Sequence, residues 1–168
     1  PGAQILATDI NRSRLSKLAP RAEKAGAAIE TRLLDTPREL DGLAGWAGMA
    51  DIVLVDAPCS GSGTWRRNPE GRWRLSAERL DRLVAQQARL LDIGAELVRP
   101  GGRLVYAVCS ILTAEGEAQA AAFLDRRSSW VAQATPIDAG RSNGAGKLLV
   151  PGQDGTDGFF VARLGRPC

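Results

Sequence analysis

Apolar residues along this chain switch repeatedly between two spacings. Short continuous or alternating runs at residues 3–8, 28–34, 51–55 and 104–108 each predict a strand. Between them the spacing widens to that of a helix. Residues 11–25 predict a helix that Gly26 stops and Pro20 breaks, because proline removes a backbone donor and crowds the preceding turn. Ser76 is placed to cap a second helix, in which Leu80, Leu83, Val84, Leu91, Ala95 and Val98 recur before Pro100-Gly101-Gly102 ends it. Thr113 predicts the start of a third, running to about Leu124. Gly42, Gly45 and Gly48 mark loose turns, and residues 148–150 with 159–164 predict a closing hairpin.

Strands alternating with helices predict an α/β fold with a doubly wound, mostly parallel sheet and a C-terminal antiparallel hairpin. In such sheets ligands bind beyond the carboxyl ends of the strands. Asp9, Asp35 and Asp56 each fall just past a predicted strand, which would gather three carboxylates on one rim. An acid in that place can accept hydrogen bonds from ribose hydroxyls, although aspartate is also a common turn residue. The strands at 51–55 and 104–108 are expected to be buried.

Composition narrows this picture. At 168 residues and 44% hydrophobic content, the chain suits one domain with a sizeable core, residues 1–168. There is no long apolar run and no basic-then-apolar leader, so a soluble, cytoplasmic protein without a membrane span is expected. The chain begins at Pro1 and enters a strand almost at once, as if cut from something longer. Lysine plus arginine outnumber aspartate plus glutamate by 22 to 19, and most of the basic residues are arginine. That bias leans toward nucleic acid, and a GC-rich coding sequence would also produce it.

The chain has no histidine, and Cys59, Cys109 and Cys168 have no C-x-x-C spacing. The ligands of an ordinary zinc site are therefore lacking, no metal is expected, and Ser-His or Cys-His catalysis is excluded. Cys59 and Cys109 each close a predicted strand and each precedes serine, in "PCSG" and "VCSI". Such thiols can be small core residues, or can share a rim where backbone N–H groups or arginines favour a thiolate. The segment "TWRRNPEGRWR" sets Arg66, Arg67, Arg72 and Arg74 beside Trp65 and Trp73. Interleaved arginine and indole suit a single-stranded nucleic acid; a solvated loop pinned by its tryptophans is the alternative.

"DIVLVDAPCSGSGTWRRNPEGRW", "GGRLVYAVCS" and "DGTDGFFVARL" closely resemble the Sun-type (Fmu/RsmB-like) RNA cytosine-5 methyltransferases, from "ATDINRSRLSKL" to "FFVARL". The resemblance implies a Rossmann-like methyltransferase fold, S-adenosylmethionine as cofactor, and RNA as partner, ribosomal rather than transfer RNA. It implies Cys109 as the nucleophile that adds to carbon 6 of cytosine, and Cys59 as the group that helps remove the carbon 5 proton and release the enzyme. Asp56 would hold the base edge and orient the methyl end of the cofactor, Asp9 would contact its ribose, and Asp35 its adenine amine. Arg66, Arg67, Arg72 and Trp73 would face RNA, and the target base would have to leave its stack. A monomer is expected.

The chain departs from the family pattern at Val108, where threonine is usual, and at "PGQ", which lacks a histidine often found there. The glycine-rich loop, its lysine and the family's N-terminal RNA-binding portion are expected upstream of Pro1, making residues 1–168 an N-terminally truncated catalytic domain. Two other readings stay open. A methyltransferase acting on an exocyclic amine would not need Cys59 and Cys109, and a non-catalytic RNA-binding module with the same fold would not bind cofactor.

Overall fold

A computed structural model describes residues 2–168, which form two compact units, one ending at Gly45 and one starting at Trp46. The first is built on β1 (Ile5–Asp9) and β2 (Ile29–Leu33), paired in parallel from Ile5 opposite Ile29 to Asp9 opposite Leu33. The predicted helix between them is two short ones, α1 (Arg12–Ser16) and α2 (Ala19–Lys24). Asn11 caps α1 by accepting from the backbone N–H groups of Ser13 and Arg14. Pro20 sits in the first turn of α2, where its missing N–H has no helical partner to lose. Gly26 follows at φ 62°, the left-handed conformation that ends a helix.

The glycine-rich stretch holds more structure than loose turns. Residues Glu39–Leu43 form α3, with Glu39 and Leu43 buried. Burying the Leu43 side chain, at about 1.5–3 kcal/mol, outweighs the helical cost of Gly42, about 1 kcal/mol relative to alanine.

The second unit contains β3 (Ala50–Asp56), β4 (Val98–Val108), β5 (Val131–Gln133), β6 (Arg141–Asn143), β7 (Gly146–Leu149) and β8 (Phe159–Gly165). Its helices are α4 (Ala77–Leu97), α5 (Glu117–Arg126) and α6 (Pro151–Asp154). The sheet order is β3-β4-β8-β7-β6, with β5 also pairing β8. The α/β fold and the C-terminal hairpin stand as expected, while the sheet is mixed. Only β3 with β4 is parallel here, because β8 returns against β4 and its hairpin partners follow it antiparallel.

Strand β4 alternates cleanly, with Leu104, Tyr106 and Val108 fully buried, and β8 sets Leu164, Ala162 and Phe160 directly opposite them. Helices α4 and α5 cover this face with Leu91, Ala95, Ala120 and Phe123, and Phe123 meets Trp130 edge to face at 5.3 Å. Gly94 lets α4 approach closely, since a Cβ there would lie 2.8 Å from Leu104 Cδ1. Ser76 caps α4 as predicted, accepting from Arg79 N–H. By contrast, α5 begins at Glu117 rather than at Thr113; the residues before it form turns that use the Leu112 and Thr113 carbonyls.

Strand β3 corrects one expectation. A continuous apolar run reads as a strand buried on both faces, yet Ile52 and Leu54 are 58% and 65% exposed, and only the Val53 and Val55 face packs on the core. Strands β5 and β6 went unpredicted because "VAQ" and "RSN" are too short and polar to carry a period.

One consequence of the topology positions the site. Parallel strands end on the same side, and Asp56 of β3 lies opposite Ala107 of β4. The loops that follow them therefore leave the sheet side by side. Antiparallel β8 starts where β4 stops, with Phe160 opposite Val108, so residues 157–158 join the same rim. Among the described residues, no helix is long and apolar enough to cross a membrane.

Candidate active site

Beyond β3 the chain passes through "APCSGSG", and beyond β4 through "CSI". The two cysteines, 50 residues apart in sequence, meet with their sulfurs 3.3 Å apart. Both are half-buried. The contact divides a proton unequally. Either sulfur could be the donor in this contact, which together with burial holds the Cys59 thiol well above its ordinary range. The same hydrogen bond brings Cys109 down to about 7, against the opposing effects of its partial burial and the nearby Asp56 charge. At neutral pH Cys109 thus has substantial thiolate character, and Cys59 keeps its proton.

Alkylation provides a direct check. Cys109 is expected to react with iodoacetamide at a rate that rises with pH through about 7 and levels off above it. Cys59→Ala removes the largest lowering cause, so the midpoint should move up toward the ordinary thiol value; an unchanged midpoint would show that Cys59 does not share its proton.

The residues after each cysteine also converge. Glu115, fully buried, accepts from Ser60 N–H at 2.8 Å, Ser60 Oγ at 2.5 Å, Ser110 Oγ at 2.6 Å and Gln87 Nε2 at 3.1 Å. Ser62 Oγ lies 2.9 Å from Ser110 Oγ and accepts from Ile111 N–H. Tyr106, its phenol raised by burial, donates to the Glu115 carbonyl at 2.6 Å.

A second seam joins the Cys59 loop to the loop before β8. Gly63 N–H donates to the Cys109 carbonyl at 3.1 Å, and Gly158 N–H to the Gly63 carbonyl at 2.9 Å. Beside it Arg67 grips Asp157 with Nε and Nη2, holding that carboxyl below the usual range, while Arg66 stands 3.9 Å away and exposed.

Of the arginine and tryptophan segment, Trp65 is half-buried and Trp73 is 77% exposed, with the Arg72 guanidinium 4.4 Å above its ring. The two tryptophans thus divide the alternatives between them: one pins the loop and the other faces solvent. Asp56 ends β3 with its side chain exposed.

In the first unit, Asp9 and Asp35 lie at the same end of the parallel pair β1 and β2, Asp35 just past Leu34, whose N–H donates to the Asp9 carbonyl. Asp9 accepts from Asn11 N–H at 2.8 Å and has Arg14 at 3.6 Å, a turn role as well as an acceptor in place; Asp35 is exposed. Among the described residues, no cluster of three or more histidine, cysteine or acidic side chains could hold a metal ion.

Residues 1–165 match the family model described as 16S rRNA methyltransferase RsmB/F. The chain belongs to that family. Ribosomal RNA small subunit methyltransferase B of Xanthomonas campestris pv. campestris is 40% identical over 98% of this chain and 38% of its own length. The protein of that name in Thermus thermophilus is 37% identical over 98% of this chain and 40% of its own. This RsmB/F chain therefore spans about two-fifths of the length of the curated relatives it matches. Among solved structures, a methyltransferase homolog protein from Pyrococcus horikoshii superposes with a TM-score of 0.77 at 26% identity, covering 98% of this chain and 53% of that one. NSun6 of the same organism, solved with SFG, gives 0.82 at 23% identity, over 98% and 41%, and there the likeness is one of fold. The Rossmann-like methyltransferase architecture of this RsmB/F chain is thereby established.

Sequence reasoning misses Glu115, Ser60, Ser110, Gln87, Asp157 and the Gly63–Gly158 seam. The repeated "CS" doublet is the available signal: a serine follows each sulfur, and both serines turn out to share one carboxylate.

Proposed function

We propose that the full-length protein transfers a methyl group from S-adenosylmethionine to carbon 5 of a cytosine in ribosomal RNA, through a transient covalent bond to Cys109. The pair of sulfurs at 3.3 Å, one lowered to about 7 and the other kept protonated, carries this reading. Carbon 5 of cytosine is a poor nucleophile until a thiolate adds to carbon 6. Cys109 Sγ forms that bond, and the ring's 5,6 double-bond electrons become available at carbon 5. After methylation, carbon 5 must lose its proton so that the double bond reforms and Cys109 leaves as thiolate. Cys59, next to both the sulfur and the developing adduct, assists that release.

When bound, the cofactor supplies an electrophilic methyl group on a sulfonium. The donor set fits it: Asp9 and Asp35, at the ends of neighbouring parallel strands, are acceptors suited to ribose hydroxyls and the adenine amine. Asp56, exposed beyond β3, is suited to the amine and N3 edge of the base and to orienting the methyl end of the cofactor. Arg66, Arg67, Arg72 and Trp73 are assigned to the RNA strand, with phosphates on arginine and a base on the exposed indole. The enzyme so proposed is soluble and cytoplasmic and acts as a monomer without a metal.

Full-length protein incubated with S-adenosylmethionine and small-subunit ribosomal RNA is expected to yield 5-methylcytidine on nuclease digestion and mass spectrometry. Product methylated on the exocyclic amine, or no product despite cofactor binding, overturns the reading.

Among the arginines, Arg66→Ala should weaken RNA binding and flatten its salt dependence by about 0.7 in log–log slope for each phosphate no longer neutralised. Arg67→Ala should flatten it less, because Asp157 already holds that guanidinium. Equal slopes for both variants and wild type would leave the segment a solvated loop.

A further inference from the structure

Among the described residues Glu115 makes no hydrogen bond to either sulfur, yet its carboxylate accepts from Ser60, Ser110 and Gln87, all of which belong to the scaffold of the cysteine pair. Ser60 directly follows Cys59, and Ser110 directly follows Cys109; one carboxylate ties both. Its fourth donor, Gln87 on α4, also donates to the Pro58 carbonyl at 2.9 Å, on the other side of Cys59. The Cys59 backbone is therefore held before and after the sulfur by linked groups. On the opposite side, Tyr106 of β4 fastens the Glu115 backbone to the strand that leads into Cys109.

A fully buried carboxylate is costly unless its lone pairs are used, and this one is used to join two loops from different strands to each other and to Gln87 of α4. A hydrophobic residue of similar size would fill the same space without joining anything. The sulfur contact it spans is short, so a displacement of about 1 Å in either loop would break the shared proton.

We infer that Glu115 is a positioning residue, a clamp that holds the Cys59 and Cys109 loops so that the two sulfurs stay within hydrogen-bond reach of each other. This rests on the reading that the two cysteines act together, and its test reads sulfur geometry independently of methyl transfer.

In the full-length protein, diamide oxidises two neighbouring thiols to one disulfide, taking up their two protons and two electrons to become the hydrazine. The rate of forming the Cys59–Cys109 bond, followed by mass spectrometry of the linked tryptic peptides, reports how often the sulfurs meet. Glu115→Gln should form it at least about tenfold more slowly than wild type, and lower kcat for methylation similarly with KM for RNA unchanged. Ser60→Ala and Ser110→Ala should each slow it several-fold, and adding either to Glu115→Gln should change little further, because all are links of one clamp. Should Glu115→Gln fail to fold, the two serine variants decide alone.

Folded variants that close the disulfide at the wild-type rate overturn the clamp, whatever their activity or melting temperature. If the variants are slow while Cys109→Ala still methylates RNA, the clamp stands and the proposed chemistry falls.

Discussion

Cys109→Ala in the full-length protein is expected to abolish methyl transfer and leave no covalent RNA adduct, whereas Cys59→Ala is expected to trap one. The asymmetry follows from how the pair shares its proton. Cys109 is lowered to about 7 and Cys59 is raised, so the sulfur available for attack at neutral pH is that of Cys109. Without it, under the proposed mechanism, carbon 5 is never activated, and the rate should fall on the order of 10⁴-fold or more. Without Cys59, attack and methylation can proceed but release slows, so a protein–RNA complex should accumulate as a shifted band on a denaturing gel. Removing one half-buried sulfur leaves a small cavity costing about 1 kcal/mol, so both variants should remain folded. An adduct with Cys109→Ala and none with Cys59→Ala would reverse the roles. Methylation unaffected by either change would end the covalent mechanism.

The second large effect is structural. Gly63→Ala should destabilise the protein by about 3 kcal/mol or more, since overpacking against backbone has no flexible neighbour to absorb it. A Cβ on Gly63 would stand 1.9 Å from the Gly158 carbonyl oxygen, and one on Gly158 would stand 2.4 Å from Ile111 Cγ2 and 2.8 Å from Gly63 Cα. Relief requires the Cys59 loop and the loop before β8 to part, which breaks the Gly158 to Gly63 hydrogen bond and strains the one from Gly63 to Cys109. Gly152→Ala, with nothing within 4 Å, should stay within about 0.5 kcal/mol of wild type and serves as the control. Thermal melts of the two variants, compared with iodoacetamide reactivity of Cys109, measure both consequences. A Gly63→Ala protein that melts with wild type would mean the seam opens freely.

Much of the site is legible in the sequence because its residues sit where local patterns end. Asp56 and Cys109 are found by reading where an apolar run stops, and Ser76 and Gly26 by the chemistry of caps and stops, whereas Asn11 reads as part of its helix and proves to cap it. Glu115 is not legible: it lies in a turn that precedes α5, in a stretch that reads as helix, and its partners arrive from the loops after β3 and β4 and from α4. Arg67 reads as RNA-facing along with its neighbours. Nothing in "TWRRNPEGRWR" distinguishes it from Arg66, and only the arrival of Asp157 does so.

What the sequence by itself determined is the alternation of strands and helices, their caps, the absence of imidazole chemistry and the family motifs around two cysteines. These depend on neighbours a few residues apart, whose spacing the chain carries directly. The tertiary structure alone decided that sulfurs 50 residues apart would meet at 3.3 Å, and that a buried carboxylate would bind their loops together. The reason is physical: hydrogen-bond sharing and desolvation vary over fractions of an ångström, and those distances follow from the parallel register of β3 and β4 and the close seam of Gly63 on Gly158, neither of which any short stretch of residues encodes.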